Sequence, residues 1–216
     1  MTIKRQLFLS GILGFSLALG ASVSHAQLGG LLKKKPAGGA DLAGQQDKLM
    51  SGYSAAGELL SEALSLTLTA LGAKGDADKL TAQMKELKGK NDKASAETLH
   101  KTLGGAAKQA DELISKAGKL SEDQKKMVQK SLVPFGGGLA VDAGLVALAV
   151  ETSKQAQGEV KSNPLAAAKF APTIYMATIL PGDVKLFGST LGNYIKLAKD
   201  NGIEVPKDAT DALGKL

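Results

Sequence analysis

Apolar residues recur every three or four positions through most of the chain after residue 41, and no stretch alternates with a period of two over a useful length. The first spacing gathers apolar side chains on one face of a helix, whereas a half-buried strand needs alternation. The first such segment runs from Asp41 to Gly72 and includes Leu49, Tyr53 and Leu60. The chain is therefore predicted to be all-α.

Capping residues and glycines predict where the next two helices begin and end. A short helix is expected to be capped by Asp76 and to end before Gly89. A longer one is expected to run from about Asp92 to Ala117, with Gly118 as a left-handed cap. Both helices are thus predicted to stop at a glycine.

Prolines and glycines divide the next part of the chain into shorter predicted segments. Ser121 and Gln124 match a capping box, so a helix should begin there. Pro134 and the glycines at 136–138 are expected to break or kink it, because proline removes a helical hydrogen bond and glycine is a poor helix former. The pair at 163–164, Asn-Pro, predicts a stop and a restart.

The C-terminal part is predicted to contain two more helices. Pro172 should kink the first, which covers residues 165–180, and the Pro-Gly-Asp sequence at 181–183 should form a turn and cap the second with Asp183. That helix is expected to end near Gly202. Short connections favour antiparallel neighbours, so the fold expected for residues 41–216 is a single up-and-down antiparallel bundle of about five or six helices.

The residues before the predicted bundle indicate export. Two basic residues precede an apolar run from Leu7 to Val23, and the sequence Ser-His-Ala at 24–26 places small residues at the positions that a signal peptidase reads. Residues 1–26 are therefore predicted to be a secretory signal peptide, which makes the protein periplasmic or secreted. Residues 27–40, rich in glycine and lysine, are predicted to form a flexible N-terminal arm.

Without that leader, the chain keeps 25 lysines and 21 carboxylates, a net charge of +4, and it has no arginine. Arginine is the residue that most often reads phosphate and guanine, so specific binding of nucleic acid is not expected. Lysine permits peripheral contact with an anionic membrane surface. The absence of cysteine excludes disulfides and a lipidated N-terminal cysteine, so the chain is not expected to be a lipoprotein.

The sequence contains no recognisable catalytic or metal-binding pattern. Its one histidine beyond the leader, His100, lies beside Leu99 on an amphipathic helix and is interpreted as a surface or packing residue. Glu58 and Glu62 share a helix face and are interpreted as solvated, since zinc and di-iron sites need histidine or cysteine spacings that do not occur. The chain is predicted not to be an enzyme and to need no cofactor or metal.

Two strongly apolar segments, 132–150 and 164–180, are the most unusual feature of the chain. They fit a bundle core, a pocket for an apolar ligand, or a hairpin that enters a membrane. Asp142 weakens the membrane interpretation, because a charged aspartate at the centre of a spanning helix costs about 2.5 to 3.5 kcal/mol. If a helix restarts after the glycines, Asp142 falls in its first turn; a buried pair with Lys169 is the alternative.

The C-terminal half of the chain, which contains both segments, holds most of the large aromatic side chains of residues 27–216. The candidate lining of an apolar-ligand site is Phe135, Phe170, Tyr175, Met176 and Phe187. These side chains either surround a cavity or fill the space that small neighbours leave.

The leading hypothesis for function is an exported non-catalytic binding module that carries an apolar small molecule or lipid between the two apolar helices. The alternatives are a protein-binding scaffold or envelope accessory factor, and a membrane-inserting effector. A carrier requires a cavity of several hundred cubic ångströms beside Phe170 and Phe187, whereas a scaffold requires a filled core.

Overall fold

The computed structural model describes residues 42–216, which form six α-helices with no strand among them. In chain order the helices are α1 (Leu42–Ala70), α2 (Lys74–Leu87), α3 (Lys93–Lys116), α4 (Glu122–Ser162), α5 (Ala167–Asp200) and α6 (Lys207–Leu213), with a short 3-10 turn at Pro164–Ala166. The predicted all-α helical bundle is confirmed. The predicted signal peptide and arm lie outside the described residues.

The two central helices of the bundle are α1 and α4, which share its most extensive contact. Helix α5 packs along α4 and also against α3, while α2 packs on α1 and α6 packs on α4. Buried side chains from all six helices belong to one apolar cluster. The core therefore runs through the bundle around α1 and α4.

Several predicted helix ends are confirmed in atomic detail. The Ser121 hydroxyl accepts a hydrogen bond from the Gln124 amide, and the Gln124 side chain accepts one from the Ser121 amide, which completes the capping box. Glycines with positive φ follow the ends of α1, α2 and α5, at Gly72 (φ +90°), Gly89 (φ +77°) and Gly202 (φ +69°). Only glycine adopts this conformation without strain.

Two smaller predictions about helix ends are wrong. Helix α3 ends at Lys116, and the next residue, Ala117, is extended (φ −70°, ψ 132°), so Gly118 is not a left-handed cap. Helix α2 begins at Lys74, which places Asp76 in its first turn and not at its cap. A carboxylate in that turn is still favoured, because it faces the free amides and the positive end of the helix dipole.

The predicted break at Pro134 and the predicted turn at 181–183 are also wrong. Helix α4 continues through Pro134 and the glycines at 136–138, and α5 continues through Pro172 and Pro181. The kinks expected at Pro134 and Pro172 stay predictions. Burial of apolar side chains along both helices offsets the lost hydrogen bonds and the low helix propensity of these residues.

The glycines of α4 serve close packing. A Cβ atom at Gly138 would lie 2.7 Å from Leu60 Cγ and 3.0 Å from the Ala56 carbonyl oxygen of α1. A Cβ atom at Gly136 would lie 2.8 Å from Ala209 Cα of α6. Glycine at these positions thus lets α1 and α6 approach the backbone of α4.

Continuity of the long helices moves two aspartates into the interior. Asp142 lies in the middle of α4 and Asp183 in the middle of α5, and their exposed fractions are 0% and 1%. The predictions that Asp142 belongs to the first turn of a helix and that Asp183 caps one are therefore wrong. The alternative pairing of Asp142 with Lys169 is absent too, since neither carboxylate oxygen of Asp142 has a hydrogen-bond partner.

Candidate functional site

The five residues predicted to line an apolar site do not form a single group in the structure. Phe135, Met176 and Phe187 are fully buried members of the central cluster, and Tyr175 is half-buried against it. Phe170 is buried outside that cluster, with the Lys169 ammonium 5.3 Å from the centre of its ring. The structure therefore places four of the five residues in or against the central cluster and Phe170 outside it.

Two cavities stand out in the described part of the chain, and none of these five side chains lines either of them. One cavity, between α1, α2 and α3, has a volume of about 20 Å³, which is close to the space that one water molecule needs. The other is an open surface groove of about 520 Å³. Pockets for drug-sized ligands usually measure about 300 to 1,000 Å³, so only the groove is large enough.

This surface groove lies where the end of α3 and the connection to α4 pass the C-terminal part of α5. Its apolar floor includes Ile114 and Leu197. On its wall the Asp111 carboxylate accepts hydrogen bonds from the Thr190 hydroxyl (2.8 Å) and from the Asn193 amide (3.0 Å). The groove thus combines a small apolar surface with a polar rim that other side chains hold in place.

The rim also carries charge of both signs. Lys196 forms an ion pair with Asp200 at 2.7 Å, and Lys119 lies at the rim with no carboxylate partner among residues 42–216. Asn201 accepts a hydrogen bond from the Leu120 amide at 2.8 Å, which ties the α3–α4 connection to the end of α5. An unpaired ammonium beside an apolar floor suits a carboxylate that is adjacent to an apolar group.

A buried polar cluster lies where four helices meet, and it consists of Tyr53 (α1), His100 (α3), Asp142 (α4) and Asp183 (α5). The Tyr53 hydroxyl donates to Asp183 Oδ2 at 2.9 Å, and His100 Nδ1 forms a hydrogen bond of 2.7 Å with Asp183 Oδ1. Both Asp142 oxygens are buried without a partner. His100, with a side chain 34% exposed, is the most exposed member of the cluster.

Burial controls the ionisation of this buried polar cluster. Desolvation raises the pKa of Asp142 well above its ordinary value, and the negative charge of Asp183 raises it further. Desolvation raises the pKa of Asp183 as well, while the charge of His100 and the hydrogen bonds from Tyr53 and His100 act in the opposite direction. Burial, followed by the charges of Asp183 and Asp142, raises the pKa of Tyr53.

The cluster differs from the arrangement of a hydrolase. An Asp–His pair orients a catalytic base when the other ring nitrogen faces a nucleophile. In residues 42–216, no side chain forms a hydrogen bond with His100 Nε2, and no group of three or more His, Cys, Asp or Glu residues is placed to hold a metal ion. Glu58 and Glu62 are exposed, as predicted.

Sequence reasoning missed this cluster because it placed both aspartates at helix starts. His100 was interpreted as a surface or packing residue, yet it pairs with a buried carboxylate from another helix. The available signal was Asp142 inside the apolar segment 132–150 and Asp183 three residues beyond the apolar segment 164–180. The sequence predicts burial of these two aspartates only if both helices are taken to be continuous.

Helix α4 is the one described helix that is long and apolar enough to cross a membrane by length and composition. In this structure 44% of its most apolar window is buried inside the bundle. A core helix of a bundle passes the same test, so the property does not by itself identify a membrane segment.

Comparisons with protein-family models, with curated proteins and with solved structures found no match to this chain. The functional argument therefore rests on the residues and their geometry alone.

Proposed function

We propose that this protein is an exported, non-catalytic helical binding module that acts through its outer surface, as a protein-binding scaffold or envelope accessory factor. The observation that supports this choice over a carrier is the packing of the apolar half. Phe135, Met176 and Phe187 are 0% exposed, and they line neither the small cavity between α1, α2 and α3 nor the surface groove. A carrier of an apolar molecule would need space at that place.

Export is supported by the leader-like sequence of residues 1–26. The composition is compatible with an extracytoplasmic module, because a chain without cysteine forms no disulfides and has no thiol that an oxidising compartment could oxidise. Amino-terminal sequencing of the protein from the envelope or medium tests this part. A start at Gln27 supports export, and a start at Met1 in the cytoplasm contradicts it.

The surface groove is the proposed contact with a protein partner. Its floor of Ile114 and Leu197 suits one apolar side chain, and Lys119 suits a carboxylate next to it. A groove built in this way favours a short segment of a partner protein in which an acidic residue neighbours an aliphatic one. Because the rim is polar and partly exposed, we expect reversible binding and not a permanent complex.

The test fills the groove without disturbing the core. Ser115 lies in the groove, and its hydroxyl bonds only to a carbonyl of its own helix, so Ser115→Trp should block the groove in a folded protein. Ser162→Trp is the matched control at the end of α4, where the serine is also exposed and bonded within its helix. A partner cross-linked in the intact envelope should be lost with Ser115→Trp and kept with Ser162→Trp.

Two results would contradict the proposal in different ways. Equal cross-linking by both tryptophan variants would remove the groove from consideration. A stoichiometric apolar molecule in the purified protein would restore the carrier hypothesis.

Membrane insertion is a second candidate function, and the continuity of α4 favours it. The 20 residues from Ser131 to Val150 contain a single ionisable side chain, Asp142. Desolvation raises the pKa of that side chain well above its ordinary value, and a neutral aspartic acid avoids much of the cost of about 2.5 to 3.5 kcal/mol that a charged aspartate adds. Insertion would require α4 to leave α1 and α5.

A single tryptophan tests this candidate, because the chain has none. Ala147→Trp places the probe on an exposed position of α4, and Ala94→Trp places it on an exposed position of α3. Insertion into anionic vesicles should shift the emission of the α4 probe to the blue and expose it to lipid-borne quenchers, with no change at the α3 probe. Unchanged emission from both probes would contradict insertion.

A further inference from the structure

The centre of the bundle contains two carboxyl groups where an apolar core would suffice. Asp142 and Asp183 come from adjacent packed helices, and both are buried. Asp183 has two partners, Tyr53 and His100, whereas the two oxygens of Asp142 have none. An ionised carboxylate without partners in such a place carries a large desolvation penalty. A protonated carboxyl group costs far less.

We propose that Asp142 and Asp183 form a proton-binding site at the centre of the bundle. Asp142 keeps its proton at neutral pH, and loss of that proton loosens the packing of α4 against α1 and α5. The ligand of this site is the proton itself, and the inference does not depend on the proposed surface function.

The groups that face Asp142 from the neighbouring helices support this assignment. Tyr53 of α1 carries a neutral hydroxyl that is already committed to Asp183. Asp183 of α5 is the charged group that acts most directly on Asp142, and its negative charge favours a neutral neighbour. His100 of α3 pairs with Asp183 and not with Asp142. None of these groups offers Asp142 a compensating positive charge.

The charged groups further along these helices have other neighbours. Tyr175 of α5 is half-buried, and desolvation followed by the negative charges of Glu97 of α3 and of Asp183 raises its pKa. The ammonium of Lys93 pairs with Glu97 at 2.8 Å and lies 5.7 Å from the centre of the Tyr175 ring. Lys169 is placed over Phe170. In the described residues, no lysine forms an ion pair with either buried aspartate.

The sign of the pH dependence follows from the direction of the shift. Asp142 in the folded protein has a pKa above the ordinary value of 3.8 that applies to the unfolded chain. Between these two values the folded protein holds a proton that the unfolded chain has lost, so stability falls as pH rises through that window. Each pH unit inside the window changes the folding equilibrium by up to about tenfold.

Urea unfolding of the exported protein at a series of pH values between 5 and 8, roughly the working range of such titrations, tests the site. Asp142→Asn keeps the shape of the side chain and removes the ionisation. It should flatten the pH dependence and raise the relative stability at the alkaline end. Asp123→Asn is the matched control on the same helix, where the side chain is 89% exposed, and it should keep the slope of the wild type.

Infrared spectroscopy gives a second readout that does not depend on how well a buried asparagine is tolerated. The folded wild-type protein at neutral pH should show the carbonyl stretch of a protonated carboxyl group. That band should persist in Asp123→Asn and disappear in Asp142→Asn. Absence of the band in the wild type, or its persistence in Asp142→Asn, would overturn the proposal.

Discussion

Asp183 receives two hydrogen bonds from two different helices, and each of them ties α5 to a neighbour. Tyr53 supplies the fully buried one, from a side chain that is 2% exposed. A buried acceptor that loses its donor retains the cost of its desolvation. The hydroxyl of Tyr53 should therefore matter for stability although the ring already fills its place in the core.

Tyr53→Phe removes only that hydroxyl group. We expect the free energy of unfolding to fall by about 1 to 3 kcal/mol, as for other buried acceptors that lose a donor. Tyr175→Phe is the control, because Tyr175 is half-buried and its hydroxyl has no hydrogen bond among the described residues; its effect should stay within about 0.5 kcal/mol. Urea unfolding measures both. Equal effects would contradict the role given to Tyr53.

Adjacent glycines in α4 should respond oppositely to alanine. At Gly138 a Cβ atom would collide with Leu60 and with the Ala56 carbonyl, so Gly138→Ala should destabilise the fold by about 1 to 3 kcal/mol. At Gly137 the nearest atom, Leu59 Cδ1, would lie at an ordinary 3.5 Å. Gly137→Ala should then gain up to about 1 kcal/mol from helix propensity. Thermal unfolding that ranks the two variants in the opposite order would contradict the close approach of α1 and α4.

At the scale of the elements, local sequence signals explain the ends of the helices but not their continuity. The Ser121 capping box and the positive-φ glycines lie where the sequence predicts helix ends, because these interactions involve only neighbouring residues. Pro134 and Pro181 also carry local signals, yet packing along the whole length of α4 and α5 outweighs them. No single stretch of sequence shows that packing.

The contrast between local signals and long-range packing also explains which features of the candidate sites were predictable. Burial of Phe135, Met176 and Phe187 was predictable from their spacing, because core and cavity lining share that pattern. The pairing of His100 with Asp183 was not, because it joins residues from α3 and α5 that are far apart in sequence. Because a turn was predicted at 181–183, Asp183 was assigned to the start of a helix, and its pairing with His100 was not predicted.

Proline replacement tests the continuity of α4. In a continuous helix, Pro134 lacks one hydrogen bond, so Pro134→Ala should stabilise the protein by part of the roughly 3 kcal/mol that separates proline from alanine in helix interiors. Pro206 precedes the first residue of α6, where proline is tolerated, and Pro206→Ala should bring no gain. A loss of stability with Pro134→Ala would contradict the continuity of α4 at this position.

For the whole molecule, polar side chains connect the long helices near the start of α1 and within the apolar core. Thr152 of α4 donates to Gln45 of α1 at 3.1 Å, and Thr173 of α5 donates to Gln46 at 2.7 Å. In the core itself, Ser131 of α4 and Tyr194 of α5 share a hydrogen bond of 2.5 Å. These bonds fix the relative positions of α1, α4 and α5 in a chain that has no cysteine to cross-link them.

A filled interior and an accessible groove together support the proposal that binding takes place at the surface. Core side chains that are 0% exposed leave a ligand no room unless the helices separate. Separation of α4 would also disturb the buried pair of aspartates. The interior thus fits a role in stability and pH response, while the groove at the end of α3 and α5 is free for a partner.

The most direct test of the surface-binding account is native mass spectrometry of the protein purified gently from its own envelope or medium, together with an organic extract of the same sample. We expect the intact mass of the polypeptide alone and an extract without a stoichiometric apolar compound. A bound lipid or other apolar molecule at one copy per chain, released when the protein unfolds, would contradict the account and make the protein a carrier.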